Sequence, residues 1–425
     1  MADTRIIVGI DIGTAKVVSL IAKADEDNTL NILGVSETPS AGIKKGQIVA
    51  IEEAVKAINV SLEAAERMAG YSTTKVIASI GGSHIESQNS RGVVAVAQPD
   101  GEITSNDLTR VIDAAKAVSF PSSREIIHIL PRSYTVDGQE GIKAPVGMTG
   151  VRLEVETHLI SSGTTSLKNL EKALSEVGVD VGGVVFSGYA SSIAVLSETE
   201  KELGVVLVDI GAGTTDISIW VDGAVSHSSV LPIGARHITN DLAIGLRISL
   251  ESAEKIKLYL SNPQKRRLPD EEERRPSDEL DLTQLNLPED LKKVSHKTLV
   301  EGIIRPRLNE IFTMVGLELK KSGWGGQTPA GVVVTGGGAK TVGIIESAKR
   351  TLAMPVRVGM PTGLKGIIDE VQDPAFSTAV GLLIYGSKEV PTPSMSFNLP
   401  LPKLPGFPSG KLGKKIIEFI KSFIP

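Results

Sequence analysis

The sequence predicts an α/β protein with two similar domains and a smaller module inserted in the first. An apolar strand, Ile6 to Ile10, ends in a turn that begins with Asp11, and a second strand follows at once. The same strand–turn–strand pattern returns with Asp209, 198 residues later, from position 11 to position 209. The chain has 425 residues, whereas single cores stop growing at about 250–300 residues. A duplicated core accounts for both observations.

The composition is that of an ordinary globular protein, with 41% apolar and 22% charged residues. The net charge of −5 argues against a general attraction to nucleic acid. The absence of cysteine excludes disulfides and thiolate metal sites, and the six histidines lack the spacing of a metal site. No apolar run reaches the about 20 residues of a membrane span, and the N-terminus lacks the pattern of a secretory signal. We therefore expect a cytoplasmic protein.

Periodicity places the elements of the first half of the chain. Strands are predicted at 17–22, around 32–35 and at 76–80. The helix between the last two is predicted by one apolar stripe: Ile51, Val55, Ile58, Leu62 and Ala65. Residues 84–160 differ, because short strands surround one helix, which Ser105 is expected to cap, and Gly and Pro recur. These residues are predicted to form the inserted module.

The second half repeats the pattern of the first and adds a third glycine turn. Strands are predicted at 205–208 and 216–221. A further strand at 331–335 leads into the turn Gly336-Gly337-Gly338. Residues 262–293 are dense in charges of both signs, which favours a solvated surface excursion over a binding site.

The end of the chain predicts a helix on a membrane surface. Residues 387–410 contain six prolines and no periodicity, as in a semi-extended linker. In residues 411–425 the lysines, including Lys414 and Lys415, lie largely opposite one apolar helical face: Leu412, Ile416, Phe419, Ile420 and Phe423. At ~1.5 Å per residue this helix is too short to cross a ~30 Å hydrocarbon core. We expect it to lie on an anionic membrane, and docking on protein is the alternative.

The glycine turns predict a site for phosphate groups. Phosphate oxygens need converging backbone N–H groups, and those require small residues at the points of approach. The first turn offers Gly13 and Thr14, with Lys16 as a positive charge, and the second offers Gly211, Gly213, Thr214 and Thr215. Each turn opens with a carboxylate, and such a pair suits Mg²⁺, which prefers oxygen ligands and keeps several waters. Neither turn is a Walker A or a dinucleotide-binding motif.

These turns resemble the phosphate and adenosine motifs of the actin-like ATPase superfamily. The matching segments are VGIDIGTAKVVSLIA, LVDIGAGTTDISIW and VVVTGGGAK. The resemblance implies an actin-like two-domain α/β fold with duplicated ribonuclease-H-like cores. It also implies ATP and Mg²⁺ as ligands, with Asp11 and Asp209 reaching the metal through water. Gly336, Gly337 and Gly338 would then pack against adenosine.

Within that superfamily the chain resembles the FtsA family, actin-like bacterial division proteins that tether the FtsZ ring to the membrane. The narrower resemblance depends on residues 124–160, which look like the family's inserted IC subdomain, on the segment PIGARHITNDLAIGL, and on the linker and terminal helix. It implies these boundaries: subdomain IA at 1–83 and 161–195, IC at 84–160, IIA at 196–230 and 296–386, IIB at 231–295, the linker at 387–410 and the membrane-targeting helix at 411–425.

The resemblance also implies partners and a location. An FtsA-like protein polymerises and sits at the division septum, on the cytoplasmic face of the membrane. The FtsZ tail would dock on subdomain IIB, and other division proteins would contact IC. A PilM-like protein of type IV pilus assembly is the alternative, and the terminal helix is what favours FtsA. A sugar or acetate kinase lacks support because no clear acid–base pair is visible, and only 39 residues follow Gly386, too few for a chaperone's peptide-binding domain.

Two further positions match the family and two differ from it, and they affect the expected binding and hydrolysis of the ligand. Glu254 and Lys257 match the family's E-x-x-K contact to ribose or base, and an exposed helix face is the alternative. Ala212 stands where the family usually has Gly, at a cost of on the order of 1 kcal/mol if φ is positive there. Hydrolysing relatives carry Glu or Gln where this chain has Ser187 or Gly188. Nucleotide binding is therefore predicted, with hydrolysis slow at most.

Overall fold

A computed structural model describes residues 5–25, 29–97, 101–117, 121–262, 278–367 and 370–388. The predicted terminal helix at 411–425 and the linker from 389 onward lie outside the described residues, as do residues 263–277 of the charged stretch. Helix α10, introduced below, continues to Lys388, past the predicted start of the linker.

The first half of the chain forms the elements that periodicity predicts. The elements up to the insert are β1 Arg5–Ile12, β2 Lys16–Ala24, β3 Leu30–Pro39, β4 Ile43–Lys44, β5 Gln47–Ile48, α1 Ile51–Ala69 and β6 Lys75–Ile80. Strands β1 and β2 form an antiparallel hairpin in which Ile12 pairs with Val17, so residues 13–15 make the tight turn. Helix α1 buries Ile58, Leu62 and Ala65 of its predicted stripe against the sheet.

The inserted module has its own sheet and core. Its elements are β7 Glu86–Ala95, α2 Ser105–Lys116, β8 Arg124–Val136, β9 Gln139–Ile142 and β10 Arg152–Gly163, and the sheet order is β7-β10-β8-β9. Helix α2 is the predicted helix of the insert, and it packs Val111 and Ala115 on this sheet. The prediction that Ser105 caps α2 is wrong, because the side chain of Thr104 accepts the hydrogen bond from Asp107 N. The strands of the insert are also longer than expected.

The chain then completes the first sheet and builds the second. The next elements are α3 Thr164–Val177, β11 Asp180–Phe186, α4 Ser187–Val195, α5 Glu198–Leu203, β12 Val205–Ile210, β13 Thr215–Val221, β14 Ala224–Leu231, α6 Ala235–Leu246 and α7 Leu250–Ser261. They are followed by β15 Glu279–Asp281, β16 Lys293–Ser295, a π-helix at Thr298–Ile304, α8 Arg305–Ser322, β17 Val332–Thr335, α9 Ile344–Leu352 and β18 Val356–Val358. The second sheet has the order β14-β13-β12-β17-β18. One of its faces has a core of its own, whereas Val205, Leu207 and Val333 on the other face belong to a core that residues of the first sheet share.

The last described elements return to the first domain. They are β19 Leu364–Gly366 and α10 Ser377–Lys388. Strand β19 extends the first sheet, whose order is β11-β6-β1-β2-β3-β19, and Leu364 pairs in parallel with Leu30. Helix α10 packs on α4 and β1. The predicted subdomain IIA extended to residue 386, whereas β19 and α10 lie with the first sheet.

Among the helices that the structure describes, none combines the length and the apolar character that crossing a bilayer requires.

Candidate nucleotide-binding site

The three glycine turns meet at one cavity between the two sheets. The cavity has a volume of about 1570 Å³. Most of the predicted site residues line it: Asp11, Gly13, Thr14, Lys16, Asp209, Gly211, Thr214, Glu254, Lys257, Gly336, Gly337 and Gly338. The turns converge because each follows a strand of a sheet, and β1 and β12 end at the same cleft.

The second glycine turn, at residues 211–214, is braced by the start of helix α6. Gly211 N donates to Thr214 O at 2.9 Å, which closes the turn. The N–H groups of Ala235 and Arg236 donate to Gly211 O and Ala212 O, each at 2.9 Å. The first N–H groups of a helix have no partner within it, and here the turn supplies two acceptors. Ala212 does not have a positive φ, so the expected cost of a residue other than Gly does not arise.

Two predicted residues of this turn do not line the cavity. The hydroxyl of Thr215 donates to Ile233 O at 2.8 Å, and the side chain is buried in the sheet. Thr215 is the first residue of β13, where successive side chains alternate between faces, so it points away from the cleft. Gly213 abuts the first turn instead, since a Cβ there would lie 2.9 Å from Thr14 Cγ2.

The two carboxylates that open the turns are buried and hydrogen-bonded. Asp11 accepts from Ser79 Oγ at 2.7 Å, and Asp209 accepts from Ser191 Oγ and from Thr378 Oγ1. Burial raises the pKa of Asp11 above its ordinary value, against the effects of Ser79 and Lys16. Burial also raises the pKa of Asp209 to about 6, and the nearby charge of Asp11 adds to the rise. Both carboxylates thus lie where a cation would stabilise their charged forms.

A third buried aspartate beside these two was not predicted. Asp216 lines the cavity and pairs across the hairpin with Asp209. Its pKa is raised well above the ordinary value, first by burial and then by the charges of Asp209 and Asp11. Within the described parts of the chain its buried Oδ1 has no hydrogen-bond partner. The signal was the aspartate that ends the run Thr214-Thr215-Asp216, which the observed register of the hairpin pairs with Asp209.

Lys16 lies in the cleft but its charge is already paired. Its Nζ lies 2.6 Å from Glu37 Oε2 and 4.4 Å from the centre of the Phe376 ring. Lys16 lies on β2 and Glu37 on β3, and the register of the two strands brings their side chains together. A bound phosphate would have to compete with Glu37 for this ammonium group.

The glycines of the third turn differ in their surroundings. Gly336 has φ +81°, and a Cβ there would overlap Asp209 Oδ1. A Cβ on Gly338 would overlap the side chain of Ile210. Gly337 is exposed, and a Cβ there would meet only Ala375 Cβ at 3.9 Å. The outer two glycines are therefore required by the fold, whereas the middle one faces the open cleft.

Glu254 and Lys257 lie on α7 and line the cavity, and the side chain of Glu254 is partly exposed there. Lys257 is only 8% exposed, and its Nζ donates to Glu254 Oε2 at 2.7 Å and to Thr239 Oγ1 at 2.9 Å. Ser249 caps α7, and Ser252 N donates to its hydroxyl. Helix α7 thus presents one connected polar group to the cleft.

The position predicted to match the Glu or Gln of hydrolysing relatives offers no equivalent group. Ser187 lines the cavity, but its hydroxyl donates to Ile80 O at 3.1 Å. A Cβ on Gly188 would lie 2.8 Å from the ring of Phe186 and 3.1 Å from Asp216 Cβ. A longer side chain at position 188 would therefore have to displace the core.

Comparison with known proteins identifies the family. The family model described as "SHS2 domain inserted in FTSA" matches residues 82–161, and that of "Cell division protein FtsA" matches residues 206–381. Cell division protein FtsA of Pseudomonas aeruginosa is 40% identical over 390 residues, which cover 90% of this chain and 89% of that protein. The chain belongs to the FtsA family. FtsA of Escherichia coli K12 is 36% identical over 401 residues, 91% of each chain.

Solved structures confirm the actin-like fold of this FtsA-family chain. The PilM–PilN type IV pilus biogenesis complex matches with a TM-score of 0.64 and 14% identity, over 90% of this chain and 99% of that one. MreB5 of Spiroplasma citri bound to ADP matches with a TM-score of 0.51 and 15% identity, over 90% and 96%. At such low identity these likenesses show the fold alone. The resemblance to PilM is thus one of architecture, whereas the sequence relatives are FtsA proteins.

Proposed function

We propose that this FtsA-family chain binds ATP with Mg²⁺ in the cleft and acts as a membrane-attached scaffold of cell division. The observation that carries the ATP proposal is the meeting of three glycine turns at one cavity with two buried carboxylates. The phosphates would lie between Gly13 and Gly211, and adenosine would lie beside Gly337. The solved relative bound to ADP has the same fold, which supports a nucleotide as the ligand.

The donor set at the phosphate end fits a Mg²⁺ ion held through water. One carboxylate oxygen of Asp11 accepts from one hydroxyl and one of Asp209 accepts from two, and Asp216 Oδ1 is buried without a protein partner in the described residues. No group of three His, Asp or Glu among the described residues is close enough to bind a metal directly. Bound there, Mg²⁺ would neutralise phosphate and carboxylate charge.

Isothermal titration tests this part of the proposal. ATP should bind the purified full-length chain with Mg²⁺ present, and the affinity should fall when EDTA removes the metal. Adenosine should bind more weakly, because it lacks the groups that the two phosphate turns would hold. Equal heats for ATP and for buffer would refute nucleotide binding.

We propose that turnover is slow, because Ser187 and Gly188 supply no carboxylate or amide to orient water. ATP would then act as a ligand that favours one conformation, the closed and polymerising one. The expected steady-state kcat lies below the usual enzyme range of about 1–10³ s⁻¹. A phosphate-release assay giving a value inside that range would contradict the proposal.

The proposal of membrane attachment depends on the sequence of residues 411–425. Four lysines near an anionic surface contribute roughly 1 kcal/mol each, and the apolar face adds to this. One copy would bind reversibly, and a filament that presents many copies would bind firmly. Co-sedimentation with anionic vesicles should be lost on deleting residues 411–425 and on Phe419→Glu. A tail-deleted protein that still pellets with vesicles would exclude this mechanism.

We propose FtsZ as the partner, through its C-terminal tail, with subdomain IIB at 231–295 as the docking region. The support is membership of a family whose relatives are named for cell division. Immobilised FtsZ tail peptide should bind the full-length chain in a surface plasmon resonance assay. Other division proteins would contact the insert. No binding at micromolar concentrations, with the nucleotide site intact, would reject the FtsZ assignment alone.

A further inference from the structure

A short hairpin that no sequence motif marked reaches the phosphate end of the cleft. Strands β4 and β5 form it, and we name residues 43–48 the tip hairpin. Lys45 and Gly46 at its tip have left-handed backbones, with φ of 50° and 74°. Gly46 lines the cleft beside the first phosphate turn. The chain just before the hairpin is tied to the same turn, since Ser40 N donates to Ala15 O at 3.0 Å.

The tip hairpin makes a direct hydrogen bond to a residue of the first turn. Gly46 N donates to Thr14 Oγ1 at 3.0 Å. A hydroxyl has two lone pairs and one proton, so this bond fixes the orientation of the oxygen and leaves the proton to be donated. No hydrogen bond from Thr14 Oγ1 occurs within the ranges that the structure describes. On its other side Thr14 packs against Gly213 of the second turn.

The tip is held in place by close backbone packing and by one side chain. A Cβ on Gly46 would lie 2.8 Å from Gly82 N and 2.9 Å from Gly81 C, so only glycine fits there. Gln47 Nε2 lies 3.1 Å from His84 Nδ1. Burial lowers the pKa of His84 to about 4, so the ring is neutral near pH 7 and Nδ1 can accept this bond. His84 in turn accepts from Arg124 through its carbonyl at 2.9 Å.

We propose that the tip hairpin is a third element of the phosphate site and that Gly46 is a positioning residue, which directs the Thr14 hydroxyl at a nucleotide phosphate. The proposal rests on the proposed binding of ATP. An anion between the two turns would receive the proton of Thr14, while Gly46 N–H stays bonded to the same oxygen. A hydrogen bond to a charged acceptor is stronger than one between neutral groups. The orientation of the Thr14 hydroxyl should therefore change the affinity for ligands that carry phosphate groups and not the affinity for adenosine.

The first test replaces Gly46 with alanine. Gly46→Ala should weaken MgATP binding roughly tenfold, the size expected for losing one hydrogen bond to a charged group. Adenosine, which has no phosphate, should bind as it does to the wild type. Gly141→Ala is the matched control, because Gly141 has φ 77° and nothing within 4 Å of a Cβ. It carries the same backbone strain and should leave ATP affinity unchanged.

A double-mutant cycle shows whether Gly46 acts through Thr14. Thr14→Val should weaken MgATP binding, Thr14→Ser should restore it, and Gly46→Ala added to Thr14→Val should cost nothing more. Gln47→Ala loosens the tip without backbone strain and should weaken ATP binding severalfold even if Gly46→Ala does not fold.

The proposal would be overturned if the losses of ATP affinity in Gly46→Ala and Thr14→Val multiplied in the double variant. Wild-type ATP affinity in Gly46→Ala would also overturn it. Where Gly46→Ala does not fold, wild-type ATP affinity in Gln47→Ala would do the same. A wild-type protein that binds no ATP would instead refute the proposed function, and this inference would fall with it.

Discussion

Asp209 should destabilise the ligand-free protein at neutral pH, so Asp209→Asn is expected to stabilise it. The pKa of an aspartate in an unfolded chain is near 3.8, and in the fold the pKa of Asp209 is about 6. The folded state therefore retains the proton to higher pH than the unfolded state does. The destabilisation is absent below pH 4, develops as the pH rises toward 6, and is complete above it.

The magnitude follows from the two values. The difference between 3.8 and about 6 corresponds to roughly 3 kcal/mol of unfolding free energy at pH 7.5, and to about half of that at pH 5. Asparagine removes the charge and keeps one oxygen to accept from Ser191 and Thr378, so the hydroxyls remain bonded. The neutral variant should gain most of this energy.

Denaturant unfolding in EDTA at pH 5 and at pH 7.5 measures the effect. Asp209→Asn should exceed the wild type in unfolding free energy at both values, with the larger gain at pH 7.5. Exposed Asp113 on α2 provides the control, and Asp113→Asn should change little at either pH. MgATP should stabilise the wild type but not Asp209→Asn. A variant that is less stable than the wild type at pH 7.5, or a gain independent of pH, would refute the reasoning.

Three further substitutions test the cleft. Gly337→Asp should leave the thermal midpoint of unfolding unchanged, since a Cβ there meets only Ala375 at 3.9 Å. In titration calorimetry the same variant should bind ATP more than about 100-fold more weakly, because its carboxylate blocks the site and repels the phosphates. Glu37→Gln should tighten ATP binding by up to about fivefold, because a partly exposed pair with Lys16 contributes about 0.2–1 kcal/mol. Equal ATP affinities of Glu37→Gln and the wild type, titrated side by side, would contradict a competition between Glu37 and phosphate for Lys16. Ala212→Gly should leave ATP affinity within about twofold, because φ is not positive at that position.

The sequence alone determined the duplicated architecture and the family. Both depend on local patterns: apolar strands that end in Asp-x-Gly turns, and a segment of different texture between residues 84 and 160. Such patterns are readable because a tight turn between two buried strands restricts which residues fit, as at Gly336 and Gly338, where any Cβ would overlap the core. The turn positions where only glycine fits are therefore the most specific of the predicted site positions.

The tertiary structure decided which groups meet in the cleft. Thr214 and Thr215 are neighbours in sequence, yet one lines the cavity and the other donates to Ile233 O, because strand β13 begins between them. Lys16 was predicted to face phosphates, and the register of β2 with β3 also gives it Glu37 as a partner. Side-chain partners across a sheet depend on register, which the turn motifs do not encode.

Long-range pairing was likewise beyond the sequence. Strand β19 extends the first sheet beside β3, more than 300 residues earlier in the chain, and α10 packs on the first domain, although the chain reaches them from the second. The tip hairpin approaches Thr14 only because its glycine backbone fits against Gly82. A local motif is fixed by sterics within a few residues, whereas these contacts depend on the burial of surfaces that only the folded chain brings together. The sequence thus determined the motifs of the site, and the tertiary structure determined their partners.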